Sequence, residues 1–137
     1  MPAARPIVSG LFETDSETVR LRAARCSACE KLHFPETPTC PYCGGERTTP
    51  TLVGPSGHLR LFTIVANRPP GYRGSLPYGF GVVELDGTGL EVIARVEETD
   101  VTRLRPGLPV QLVAEQLFTD DDGTSVIAYA FRPTGPA

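Results

Sequence analysis

Residues 26–43 read CSACEKLHFPETPTCPYC, and the two pairs within this stretch, Cys26-x2-Cys29 and Cys40-x2-Cys43, decide how the rest of the chain is read. A two-residue gap lets one tight turn present two sulfurs to a single ion, and two such turns complete a tetrahedral set of four thiolates. Pro41 preforms the second turn, and Gly44 after Cys43 tolerates the positive φ that aims backbone N–H groups at sulfur. The first turn carries Glu30 where a glycine would be easier. Two disulfides or a redox pair are the competing readings, and two close-spaced pairs without a βαβ pattern disfavour both. Four thiolates leave no open position for water or substrate, so the expected ion is a structural Zn2+. His33 lies close in sequence, but with four sulfurs available it is expected at the surface.

The flanks of this stretch read as β-structure. From Thr18 to Ala24, Val19, Leu21 and Ala23 alternate with Arg20 and Arg22, the period of a short strand leading into the first pair. Residues 1–17 contain Pro2, Pro6 and Gly10 and read as a loose N-terminal arm. The cysteine module, residues 18–48, is too small to fold without metal, and Thr48–Gly57 reads as a connector. Five strand-like runs follow: His58–Ala66, Gly79–Leu85, Leu90–Glu97, Val110–Phe118 and Ser125–Phe131. Turn signals at Asp86-Gly87, Arg105-Pro106-Gly107 and Asp120-Asp121-Asp122-Gly123 separate them. Five short strands in the remaining residues, 49–137, fit a closed OB-type barrel. The fold is therefore expected to be mainly β, a zinc ribbon followed by a five-stranded OB-fold barrel. Leu59, Leu61, Val65, Val83, Leu85, Val92, Ala94 and Val96 are expected to face its core.

Composition narrows the function classes. The 137 residues carry a formal net charge of -3 and a pI near 5.4, a balance unsuited to general nucleic-acid binding. Lys31 is the sole lysine, against twelve arginines. No apolar run is long enough to span a bilayer and no signal-peptide pattern opens the chain, so a cytoplasmic location is expected. No local motif supports a Ser/His/Asp set, no glycine loop cradles phosphate, and no cysteine is left over for nucleophilic work. His58 is read as a surface residue and Asp120–Asp122 as a solvated hairpin tip.

The segment Asn67–Tyr78, NRPPGYRGSLPY, holds three prolines and two glycines in twelve residues and continues neither a strand nor a helix. It nevertheless carries Arg68, Tyr72, Arg73, Leu76 and Tyr78, side chains suited to contact with another molecule. Long loops inside compact domains are functional or disordered, and the aromatic content points to function. Tyr72 and Tyr78 offer rigid surfaces to another molecule, and Arg68 and Arg73 can pair with phosphates or carboxylates that it presents.

Together, CSACEKLHFPETPTCPYC, GHLRLFTIVANRPPGYRGSLPYGFGVVELDG and LRPGLPVQL resemble the DUF35 family, a rubredoxin-like zinc ribbon followed by an acyl-CoA-associated OB-fold, over roughly Val19 to Phe131. The resemblance implies a partner subunit or fused domain of thiolase-superfamily enzymes, or of related acyl-CoA aldolases, lyases and hydratases. The partner then holds the catalytic residues, while the OB-fold helps shape a site for CoA or acyl-CoA. It also implies an N-terminal helix before the ribbon, a stretch interrupted here by Pro2 and Pro6. The expected role is a non-catalytic accessory subunit, inactive alone and working in a hetero-oligomer. Two alternatives stay open: a single-stranded nucleic-acid-binding ribbon/OB protein, and a pure scaffold linking two acyl-CoA enzymes.

Overall fold

The computed structural model describes residues 4–15 and 18–134, so residues 1–3 and 16–17 of the arm and 135–137 lie outside the described residues. Ten strands follow one another: β1 Ala4–Pro6, β2 Phe12–Asp15, β3 Thr18–Cys26, β4 Leu32–His33, β5 Thr48–Val53, β6 Ser56–Val65, β7 Tyr78–Leu85, β8 Glu91–Val96, β9 Pro109–Thr119 and β10 Ser125–Pro133. A single turn of 3-10 helix, Val101–Arg103, is the one helical element among the described residues, capped by the Asp100 carboxylate accepting from Thr102 N–H.

Strands β6 to β10 close on themselves. The antiparallel run β8–β7–β6–β9–β10 returns to its start because β10 also pairs in parallel with β8. The result is the closed five-stranded barrel, with β8 covering β10 only at Ala130 and Phe131, so that within the barrel the start of β10 is an open edge. Closure demands close backbone approach where the wall coils. Gly57 and Gly81 supply it: an added Cβ at Gly57 would lie 2.7 Å from Val83, and one at Gly81 would collide with the Leu61 carbonyl.

The remaining strands are not loose appendages. β1 adds to the barrel sheet in parallel with β10, with Arg5 opposite Val126, and β2 pairs antiparallel with β3. The arm read as loose is thus paired along most of its described length, which satisfies backbone groups that a loop would leave to water. No helix precedes the ribbon among the described residues. The stretch read as a connector contains β5, which runs antiparallel to β3 from Cys26–Thr48 to Leu21–Val53.

One hydrophobic core spans both halves. Val19, Leu21, Ala23, Leu32 and Val53 from the ribbon side join Leu59, Val83, Leu85, Val92, Val110, Leu112 and Phe131 from the barrel in a single cluster. The expected inward positions hold on β7 and β8, where Val83, Leu85, Val92, Ala94 and Val96 are buried. They fail on β6. A register shift between Leu59 and Leu61 leaves Arg60 without an opposite residue on β7. A bulge adds one residue to one strand, so every side chain beyond it changes face. Leu59 is buried, Leu61 is 67% exposed, and Phe62 and Ile64 pack against the core in place of Leu61 and Val65.

Candidate functional site

The Sγ atoms of Cys26, Cys29, Cys40 and Cys43 all lie within 4.8 Å of one another. Cys26 and Cys43 sulfurs are 3.6 Å apart, and those of Cys29 and Cys40 are 3.7 Å apart. Four sulfurs at ~2.3 Å from a tetrahedral zinc stand ~3.8 Å from each other, so the donor set already has the dimensions of a zinc site and is far too open for S–S bonds.

Two matching turns build the site. Glu30 N–H donates to Cys26 O and Gly44 N–H to Cys40 O, at 2.8 and 2.9 Å, four residues on in each case. Both closing residues have left-handed backbone, Glu30 at φ 64° and Gly44 at φ 78°. Glu30 is the one non-glycine residue in that region among those described, a conformation that crowds Cβ against the chain. Arg25 steadies this turn by donating to Glu30 O at 2.8 Å. Tyr42 N–H points at Cys40 Sγ and Gly45 N–H at Cys43 Sγ, each at 3.4 Å. Gly45 is packed so closely that a Cβ would sit 3.3 Å from Cys43 Sγ and 3.4 Å from Cys26 Sγ.

The thiols polarise one another. The backbone N–H of Cys29 brings Cys26 down to about 7. At Cys43 the Gly45 N–H favours the thiolate, but the neighbouring Cys26 sulfur and burial outweigh it and push the thiol up to about 11. Four sulfurs this close ionise together only with a cation among them, the chemistry a divalent metal supplies.

His33 is not at the surface. It is 1% exposed, with Nε2 3.3 Å from Thr37 O, and Nδ1 has no partner among the described atoms. Strand β4 is only two residues long and places both Leu32 and His33 inward. A two-residue strand shows no alternation, so the sequence carried no sign of this burial. His58, by contrast, is exposed and bonds Asp86 at 2.7 Å.

The Asn67–Tyr78 segment is folded onto the barrel wall. Arg68 donates from Nη1 to the carbonyls of Tyr72 and Gly74, closing the loop on itself. The Tyr72 and Tyr78 rings lie 4.8 Å apart, and Tyr78 meets Phe80 edge-on at 6.5 Å. Arg95 from β8 stands 4.7 Å above the Tyr78 ring, donates to the Tyr72 hydroxyl at 2.7 Å and pairs with Glu115 at 2.6 Å. Burial raises the Glu115 carboxyl above its ordinary range even beside that guanidinium. At the outer end Arg73 reaches the β9–β10 tip, pairing with Asp120 and Asp121 at 3.2 Å and covering Phe118. Asp120 also takes Arg5 of β1 at 2.7 Å. The segment thus brings Tyr72 and Tyr78 together, and it holds Arg68 and Arg73 apart on separate partners. Arg95 is the residue that sequence reading missed, because a polar residue between Ala94 and Val96 has the look of any solvent-facing position on an alternating strand.

A four-thiolate ribbon running into a closed five-stranded barrel defines the class, a rubredoxin-like zinc ribbon joined to an OB-fold. Residues 19–49 match the family model described as ChsH2, rubredoxin-like zinc ribbon domain, and residues 51–115 the one described as ChsH2, C-terminal OB-fold domain. The chain belongs to this ChsH2, or DUF35, family. It is 30% identical over 127 residues to a DUF35 domain-containing scaffold protein of Pyrococcus furiosus, covering 92% of each chain. It is 31% identical over 117 residues to a probable enoyl-CoA hydratase alpha subunit of Thermomonospora curvata, covering 85% of this chain and about a third, 34%, of that one. Among solved structures it resembles an Ltp2-ChsH2(DUF35) aldolase chain with a TM-score of 0.65 and 25% identity, covering 85% of this chain and 86% of that one. A DUF35 protein from Sulfolobus solfataricus shares the fold at a TM-score of 0.53 and 12% identity, covering 83% of this chain and 75% of that one.

Proposed function

We propose that this chain is a non-catalytic accessory subunit that docks on a thiolase-like enzyme, or a related acyl-CoA aldolase, lyase or hydratase, and helps form its acyl-CoA site in the cytoplasm. The observation that carries this reading is the likeness, over 85% of the chain, to the ChsH2 component named in an aldolase complex. The four cysteines form one cluster with the dimensions to hold a metal ion, and the His58–Asp86 pair is exposed with no hydroxyl or thiol bonded to it among the described residues. The working units are taken as the arm 1–17, the ribbon 18–48 and the barrel 49–137.

Docking is assigned to Arg68, Tyr72, Arg73 and Tyr78. Rings already packed against each other support that role because little side-chain entropy remains to be lost on binding. For the CoA phosphates the geometry sets a condition: Arg73 meets a phosphate only by exchanging its aspartates, of which Asp121 is 98% exposed and easily displaced. A scaffold joining two acyl-CoA enzymes without touching substrate is the second reading, favoured by the name of the Pyrococcus relative.

The test is co-purification with the thiolase-superfamily enzyme encoded nearest to it, followed by acyl-CoA turnover with and without the chain. Tyr72→Ala/Arg73→Ala is expected to weaken assembly or raise the apparent KM for acyl-CoA, with zinc content unchanged. Wild-type assembly and turnover from the double variant would remove the loop from the docking surface. A complex whose turnover ignores the chain favours the scaffold.

A further inference from the structure

Each cysteine turn holds its own two sulfurs, but nothing within the turns sets one pair against the other. Residues 30–39 join them, a connector that carries β4 and then runs from Phe34 to Thr39 without helix or strand. A free connector leaves the second turn many positions relative to the first.

At the Thr37 carbonyl three parts of the ribbon meet. His33, four residues past Cys29, brings Nε2 to 3.3 Å from that oxygen. Thr37 itself lies three residues before Cys40, and Thr48 lies five residues past Cys43. The Thr48 hydroxyl donates to the same Thr37 oxygen at 2.8 Å, and Thr48 is the β5 residue opposite Cys26. The strand leaving the first turn, the chain entering the second and the strand leaving the second are thus pinned at one atom. A carbonyl oxygen has two lone pairs, and these two donors occupy both. The Thr37 hydroxyl donates to Thr39 O at 2.7 Å and stiffens the last step into Cys40. The connector's other tie, Glu36 N–H to Arg22 O at 3.0 Å beside the 3.3 Å Arg22–Glu36 ion pair, fastens it to β3 four residues ahead of Cys26.

Packing does not ask for a histidine at this position. A carbonyl only accepts, so the bond to Thr37 requires the proton on Nε2 and leaves Nδ1 the bare acceptor. Nδ1 bonds to no group among the described residues, and at 1% exposure a bare acceptor disfavours the residue. An aliphatic side chain would fill the place without that disadvantage, as Leu32 beside it does. What the imidazole alone adds is the donor to Thr37.

We propose that His33 is a positioning residue of the metal site: through the Thr37 carbonyl it sets the second cysteine pair against the first, and so governs how firmly the four thiolates retain zinc. The inference concerns the ribbon and stands apart from the accessory-subunit reading.

The experiment measures the rate of zinc release from the zinc-loaded full chain into an excess of chromogenic chelator. Two variants of nearly equal length and shape separate the hydrogen bond from packing. His33→Met has no donor and is expected to release zinc roughly fivefold faster, the worth of one hydrogen bond. His33→Gln places an amide N–H within reach of the same carbonyl and is expected to stay within about twofold of wild type. Thr48→Val, which removes the second donor to that oxygen, is expected to quicken release as well, and Thr48→Ser to leave it unchanged. Circular dichroism and one zinc per chain before the chelator is added confirm that each variant starts folded; His33→Leu replaces His33→Met, under the same criteria, if the latter fails to fold. Wild-type release from His33→Met overturns the inference. Release from His33→Gln as fast as from His33→Met overturns it too, since shape and not the donor would then be at work. Wild-type release from Thr48→Val overturns the role given to the Thr37 carbonyl, and the inference with it.

Discussion

The hydroxyl of Tyr72 accepts a 2.7 Å hydrogen bond from Arg95 and donates one of 2.8 Å to the carbonyl of Ser75. A residue of the proline segment is thereby fixed to a barrel strand at one end and to its own loop at the other. Three prolines restrict the backbone, and this phenol decides where the restricted segment rests.

Tyr72→Phe keeps the tilted ring contact with Tyr78 and removes both bonds. A hydrogen bond to a charged donor contributes about 1.5–3 kcal/mol where it is shielded from water, less where the acceptor is partly exposed as here. We expect faster amide exchange through residues 68–76 and a global stability loss of about 1 kcal/mol or less. Unchanged exchange would show that the prolines alone hold the segment.

The Asp120 carboxyl is held down at about 2 from an ordinary 3.8, chiefly by the Arg5 guanidinium, then by the Asp121 N–H and Arg73. A depressed acid stabilises the folded state above its unfolded value, and that stabilisation disappears as pH falls through the folded value. Contacts joining β1, the loop and the hairpin tip should therefore loosen between about pH 4 and pH 2. Nuclear magnetic resonance shifts at Arg5 and Arg73 should follow that titration, and Asp120→Asn should abolish it.

Glu30 and Gly44 close equivalent turns, but only glycine does so without a crowded Cβ. Glu30→Gly should stabilise the metal-bound protein by ~0.5–1 kcal/mol, and Gly44→Ala should cost about as much. Chelator-driven zinc release, followed with a chromogenic dye, should slow in the first variant and quicken in the second.

One zinc per chain is expected, and Cys40→Ser should lose it. The shared core has a further result. Leu21 and Val53 sit between the knuckles and the barrel, so zinc loss should lower the melting temperature of the barrel's own signal as well. A barrel transition unmoved by chelator would show that the ribbon melts separately.

Much of this was legible in residue spacing. Cys-x2-Cys twice over fixes a ligand set because thiolate geometry leaves few solutions, and Val83/Leu85 and Val92/Ala94/Val96 alternate cleanly because β7 and β8 run without interruption. What escaped depends on contacts distant in sequence. The bulge at Arg60 arises from pairing with β7 and inverts a face that local alternation assigned correctly only as far as Leu59. His33 is buried by neighbours brought over it in space. β1 takes its place from β10, some 120 residues downstream.

Strand β3 runs to the first zinc ligand, Cys26, without a break, with β5 paired along it from Leu21 to Cys26. Anyone exchanging ribbons between family members to redirect partner choice would meet this join first. A seam at Thr48, where motif boundaries invite a cut, leaves β5 with one parent and β3 with the other, so every cross-strand contact from Leu21–Val53 to Cys26–Thr48 becomes a mismatch between lineages. The unit that can be transplanted is the knuckle pair together with both strands beneath it, ending in the cis-proline turn at Gly54-Pro55.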